Sequence, residues 1–545
     1  MSKIGDLVTP LWLSQSYLDN NVANSLAIQL AVAEAPSGNI YGAGGAAGLV
    51  TFGDLPPISL PNIVPFLTVQ DKCGKYLELI PGSMPTIIPP VAPLKAYSAI
   101  IGLVFDDDGN LIIIGTYTST FTFLGVEFIN PTSGTSFLRM LFVIKYDINK
   151  KKVIWSNTSS LVPGVSGNIV PDAVVTDKYG VYITGVFSGT VVINTTPPTT
   201  LVVPANVTTS SYIMRLNYAT GAFIYVTPVA FIAPAAPGTS AMAYNLALIP
   251  GSRSKASCGC STKTNAQLVI VGQFRVQVSF GSKSLSTSRR DGFVALADAI
   301  TGVFTNAAQT DGTGAYVPFV NYATIRNVDV LSGGDIVIAG TFAGNTNFGT
   351  DLIENTLNTT FFSRLDQNLN WLKTINVTAV PGTEPNFYCA VEGFAVDNTS
   401  NSVYASGTLN GYNQFGISVV PLISVTNNNL SIPPRALQPV AYLTRISTLN
   451  GDLVFKSAHQ TFNLTTAATQ YNFIKQPLIV SAIECNTVYF GAQFTSVIKV
   501  DPFNAASDFI KTLENLGNNF YLTKILLSNF PVCKISKPSR DQCDC

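Results

Sequence analysis

One histidine stands in the whole chain, His459. Any Ser-His-Asp or Cys-His relay, and any histidine-ligated metal, would have to use it. It follows an apolar strand in a polar continuation, so it reads as a rim residue rather than the base of a pocket. The densest carboxylate cluster is Asp106-Asp107-Asp108-Gly109-Asn110. Ca²⁺ takes several oxygen ligands, but the cluster lacks the spaced carboxylates and closing Glu of an EF-hand, and the same residues compose a tight turn. Arg289-Arg290-Asp291 holds the one adjacent arginine pair. Lys150-Lys151-Lys152 reads as a solvated strand-to-strand tip.

The cysteines gather in two places: Cys258 and Cys260 in one, Cys533, Cys543 and Cys545 near the C-terminus. A C-x-C pair is not the usual C-x₂-C zinc knuckle. Free thiols, disulfides (including one from the tail to a neighbouring molecule) and a metal site stay open as readings. Cys73, Cys389 and Cys485 read as turn or core residues. No catalytic, cofactor or metal constellation is expected. Eight N-x-S/T sequons, at Asn157, Asn194, Asn206, Asn358, Asn376, Asn398, Asn429 and Asn463, matter only in a secretory pathway.

Hydrophobic residues make up 47% of the 545 and charged residues 11%. Lys+Arg and Asp+Glu balance at 31 each, so no basic excess points to nucleic acid or an anionic membrane. Few charges and no net charge permit homotypic association. No apolar run approaches the ~18 residues of a membrane-spanning helix, and residues 1–20 lack the compact apolar core of a signal peptide.

The elements that would position any site come from a repeat. An anchor Gly stands at Gly44, Gly115, Gly185, Gly272, Gly340 and Gly407, with Ala492 in the seventh place. Eight residues on come Phe52, Phe123, Ile193, Phe280, Phe348, Phe415 and Val500. An alternating strand precedes each anchor, a turn and another apolar strand precede that, and two further strands follow, the last opened by an aromatic such as Trp155 or Trp371. Four antiparallel strands repeated seven times predict an all-β, single seven-bladed β-propeller. The approximate blades are 26–92, 96–163, 170–232, 243–309, 323–379, 388–462 and 476–528 plus 11–17, within a propeller of residues 1–532 and a Cys-containing tail of 533–545. The last copy lacks a fourth strand, and the segment around Trp12 resembles one. The N-terminal strand is therefore expected to pair with the last blade and close the ring, hiding sheet edges.

The repeats resemble the SBBP-type β-propeller repeat family, most closely at Val181-Tyr182-Ile183-Thr184-Gly185-Val186-Phe187-Ser188-Gly189. The resemblance covers nearly the whole chain. It implies the fold and, with family members mostly extracellular or surface proteins, an extracellular, virion or cell-surface location. Insertions Thr195 to Pro204, Ser252 to Asn265 and Val419 to Pro439 decorate the repeats and are where recognition would sit.

The expected function is a non-enzymatic structural subunit that self-associates into a fibre, tube or surface layer, its partner being itself. The alternative is a monomeric binding module that recognises a glycan or protein through its loops. A lyase or glycosidase would need charged residues on the first strand of several repeats. The strands Leu26 to Val32, Ile100 to Phe105 and Ala173 to Thr176 are almost wholly uncharged, which argues against an enzyme.

Overall fold

The computed structural model describes residues 7–18, 26–85, 97–130, 138–159, 167–231, 235–251, 253–255, 261–263, 265–314, 317, 320–354, 357–379, 388–398, 400–410, 413–416, 424–425, 440–460, 474–481, 487–500 and 511–528. Cys258, Cys260, Cys533, Cys543 and Cys545 lie outside them, as does most of the insertions at 252–265 and 419–439.

The described chain is all-β, built of antiparallel meanders. In the second repeat the strands Ser98–Phe105, Leu111–Tyr117, Met140–Asp147 and Lys152–Thr158 lie side by side in chain order. The third repeat does the same with Gly167–Asp177, Gly180–Ile193, Ser210–Asn217 and Phe223–Pro228. The fourth uses Ser240–Ile249, Gln267–Phe280, Lys283–Asp298 and Phe304–Gln309, and the fifth Tyr322–Val330, Ile336–Ala343, Thr359–Leu365 and Trp371–Ala379. The sixth comprises Tyr388–Asp397, Ser402–Asn410, Val440–Ser447 and Val454–Gln460. In the remaining sheet Leu7–Leu18 runs antiparallel to Lys511–Ser528, with Trp12 opposite Lys524.

By contacts the chain forms two compact units. One holds residues 1–62, 66–81 and 377–545; the other holds 63–65 and 82–376. Within the second unit the first strands of repeats two to five neighbour one another in series. Cores fill the spaces between successive sheets there: Ile112, Ile114, Leu141 and Val143 of the second repeat pack with Ile183 and Met214 of the third. Val269, Val271 and Val294 of the fourth pack with Ile325, Ile338 and Phe342 of the fifth. Strands buried on both faces explain why the second strands read as unbroken apolar runs; every residue of Leu111–Tyr117 and Ile336–Ala343 is buried.

Two side-chain devices recur. The aromatic eight residues past the anchor meets an aromatic from the third strand and one from the fourth. Phe348 lies 4.5 Å from Phe361 and 5.6 Å from Trp371 between ring centroids. Phe280 sits 4.9 Å from Phe293 and 5.2 Å from Phe304; Phe52 and Phe415 have matching clusters. Such tilted and edge-on pairs add to simple burial. In the second repeat Phe123 is buried, while Trp155 turns to cover the next repeat and donates its indole N–H to the carbonyl of Tyr218 at 3.1 Å.

The second device is a third-strand cation that holds the turn between the first two strands. Lys145 pairs with Asp106 at 2.9 Å, Arg364 with Asp335, and Arg445 donates to the Ser402 hydroxyl. Asp106 Oδ1 also accepts the amides of Asp108 and Asn110 at 3.0 and 2.8 Å. Burial works to raise this carboxyl, but Lys145 and Asn110 outweigh it and hold it below its ordinary range. The acidic cluster at 106–110 is thus spent on a turn and an ion pair.

Candidate functional site

Each anchor Gly faces an irregularity in the first strand. Pairing of the first two strands slips by one residue after Gln29, Ile100, Pro171, Ala243, Ile325 and Val391, each of which stands opposite its anchor: Gly44, Gly115, Gly185, Gly272, Gly340 and Gly407. The slip is a β-bulge, which bends the strand and aims one extra side chain. The bend drives a first-strand carbonyl onto the anchor. A Cβ on the glycine would overlap the carbonyl oxygen of Ile28, Ala99, Val170, Met242, Thr324 or Ala390 in turn. In the second, fourth, fifth and sixth repeats it would also crowd the third-strand ring of Phe142, Phe293, Phe361 or Tyr442. Only glycine satisfies both neighbours.

The residues that the slip leaves out of the ladder register are Leu30, Ile101, Asp172, Tyr244, Arg326 and Glu392. In the unit of residues 82–376 three polar ones follow one another on neighbouring first strands: Asp172, Tyr244 and Arg326. Arg326 is the one exposed residue of its strand; Asp172 and Tyr244 are half-buried. The Arg326 guanidinium lies 4.8 Å from the Tyr244 ring centroid. Asp172 Oδ2 is shielded from solvent and accepts no hydrogen bond in the structure. Burial pushes the Asp172 carboxyl up to about 7, against the pull of Arg326. The same burial raises the Tyr244 phenol, opposed by Arg326 and Arg290 and reinforced by Asp172. Tyr212, from the third strand behind Asp172, is fully buried and donates its hydroxyl to the Val170 carbonyl at 3.3 Å. A carboxyl that is half protonated near neutrality, beside a phenol and a guanidinium, can give or take a proton and hold a developing anion.

The residues singled out in the sequence fall elsewhere. The anchors Gly44, Gly115, Gly185, Gly272, Gly340 and Gly407 form the floor beneath the bulges, while Phe52, Phe123, Phe280, Phe348, Phe415, Trp155 and Trp371 pack in the ring clusters and between repeats. His459 stands opposite Leu443 in the outer strand pair of the sixth repeat. Of the arginine pair, Arg289 is locked away: it meets Asp291 at 2.8 Å, Asn321 at 2.6 Å and Thr346 at 2.9 Å, with the Arg289 and Asp291 side chains fully buried. Among the described residues, no group of three or more His, Cys, Asp or Glu side chains could hold a metal ion. Reading the third repeat's first strand as Ala173 to Thr176 leaves out Asp172, because the strand runs from Gly167 to Asp177.

No family model and no curated protein sequence matches this chain. Solved structures do. A polysaccharide lyase, an ulvan lyase bound to a glucuronate–sulfated rhamnose saccharide, is 12% identical with a TM-score of 0.40, over 92% of this chain and 97% of that one. A quinohemoprotein alcohol dehydrogenase from Pseudomonas putida is 9% identical with a TM-score of 0.39, over 96% of this chain and 77% of that one. The periplasmic gluconolactonase of Pseudomonas aeruginosa is 10% identical with a TM-score of 0.38, over 85% and 95%. The three are a lyase, a dehydrogenase and a lactonase, which runs against the expectation of a non-enzymatic, self-assembling structural subunit. The premise behind that expectation does not extend to the other first strands: the third repeat's strand reaches back to Gly167 and includes Asp172, and those of the fifth and sixth repeats carry Arg326 and Glu392 at their bulges. At these identities and TM-scores none of the three activities is carried to this chain.

Proposed function

We propose that the chain is a seven-bladed β-propeller of the SBBP-repeat kind, and that the bulge row Asp172, Tyr244 and Arg326 is a proton-transfer site. Successive four-stranded meanders with adjoining first strands favour the propeller, and the pairing of Leu7–Leu18 with Lys511–Ser528 would complete its last blade. In such a fold the first strands face the centre, where ligands gather and side chains converge.

The observation that carries the catalytic reading is Asp172 itself: an extra, bulge-borne carboxyl with a solvent-shielded oxygen that accepts no hydrogen bond. A buried polar atom left without a partner is costly, and such costs persist at functional sites. Asp172 acts as the acid–base group, Arg326 stabilises negative charge on the substrate, and the Tyr244 hydroxyl supplies a second donor.

The test is turnover. Wild type and Asp172→Asn are incubated with panels of neutral and uronate-containing oligosaccharides, and bond cleavage or elimination is followed by proton NMR. Activity on any substrate is expected to fall at least a hundredfold in Asp172→Asn, in line with the usual size of acid–base contributions. Its wild-type rate should change with an apparent pKa near 7. A substrate turned over equally by both proteins would remove Asp172 from the mechanism.

A further inference from the structure

Two arginines stand directly opposite each other in the fourth sheet. Arg275 of Gln267–Phe280 and Arg290 of Lys283–Asp298 are register partners, and both are half-buried. Directly opposed residues of an antiparallel pair project from the same face, and like charges there repel. Gln273, two residues from Arg275, shares that face and accepts a hydrogen bond from Thr324 of the next repeat at 2.8 Å. The arginine pair therefore lies on the side of the sheet that meets the strand carrying Arg326. Arg290 also acts by charge on the Tyr244 phenol, and Arg326 lies over that ring. Two guanidinium groups, those of Arg290 and Arg326, thus act on one phenol together with the Asp172 carboxyl, and Arg275 stands opposite the first of them.

We propose that Arg275, Arg290 and Arg326 form an oxyanion subsite, so that the substrate handled at Asp172 bears a carboxylate or a sulfate group. The planar fork of arginine matches both oxyanions with paired N–H donors. This inference rests on the proton-transfer reading for the identity of the neighbouring step, but its binding test does not.

Sodium sulfate and sodium glucuronate are titrated into the purified protein by calorimetry, with sodium chloride at matched ionic strength as reference. At least one of the two is expected to saturate a site that chloride does not. Which one does separates a sulfated from a uronate substrate. Affinity should weaken at least tenfold in Arg275→Gln and in Arg290→Gln, and less in Arg290→Lys. Asp172→Asn, which removes a carboxylate that pairs by charge with Arg326, should bind the anion at least as tightly as wild type. No saturable binding above chloride, or undiminished binding in both glutamine variants, overturns the subsite. Should those variants fail to fold, phenylglyoxal labelling of wild type decides the matter. Protection of Arg275 and Arg290 by the anion supports the subsite, and identical labelling with and without it overturns the idea. Loss of turnover in Asp172→Asn with no anion binding would leave the proton-transfer reading standing alone. Anion binding with unaltered turnover would do the reverse.

Discussion

Near pH 7 Asp172 is about half protonated, and folding is linked to that proton. The carboxyl titrates at its ordinary value of 3.8 when unfolded and at about 7 in the native protein, because burial outweighs Arg326. The native state holds the proton more tightly, so this group's stabilisation is complete below about pH 4 and is lost as pH rises toward 7. Tyr212 and Tyr244, the phenols coupled to it, titrate higher and stay neutral through this window. Asp172→Asn removes the slope. Thermal melts between pH 4 and pH 8 should therefore show the variant gaining on wild type as pH rises. Parallel melting curves across that range would mean that Asp172 is better hydrated than its burial implies. None of this was legible in the sequence. Asp172 follows Pro171 at the edge of an apolar run, and a strict two-residue alternation has no place for an extra residue. The usable signal was position: Asp172, Arg326 and Glu392 stand 13, 14 and 15 residues before Gly185, Gly340 and Gly407.

At the scale of the sheet, the anchor glycine is set by the bulge rather than by any turn. Gly340 lies mid-strand, where glycine ordinarily weakens a strand, yet a methyl group there would overlap the Thr324 carbonyl and press within 2.8 Å of the Phe361 ring. Both neighbours are fixed, one by the ladder and the other by its contacts with Phe348 and Phe342. Gly340→Ala should cost about 2–3 kcal/mol, the upper part of the range for overpacking a filled core, measured by urea unfolding. A change below ~0.5 kcal/mol, the scatter of neutral surface substitutions, would show that the bulge can flatten. This part of the architecture was readable, because the glycine and the aromatic eight residues on are required by contacts within one repeat. Packing across repeats left no such mark. Trp155 looks in sequence like a fourth-strand counterpart of Trp371, but it lies against Gly221 of the following repeat.

On the scale of the whole chain, the strand Leu7–Leu18 supplies hydrogen-bond partners to Lys511–Ser528. Removing residues 1–18 would leave that long strand with an open edge, a template for pairing with other chains. The truncated protein should form concentration-dependent aggregates in size-exclusion chromatography, while the intact chain elutes as a single species. A monodisperse truncation product would show that another segment covers the edge. The pairing was foreseeable from an arithmetic gap, a last repeat one strand short, because it depends on counting elements. The functional centre depends instead on where a ladder slips, which no count reveals.

The bulge also separates two demands that sheets normally impose on the same residue. A regularly paired strand residue must suit its cross-strand neighbour and the sheet stacked against it. The slipped residue is released from the first of these, having no cross-strand neighbour. Leu30, Ile101, Asp172, Tyr244, Arg326 and Glu392 show that the position accepts aliphatic, acidic, aromatic and basic side chains on one unchanged backbone. The repeat thus carries a socket in which chemistry can be exchanged without rebuilding the scaffold, and a new specificity could arise one socket at a time.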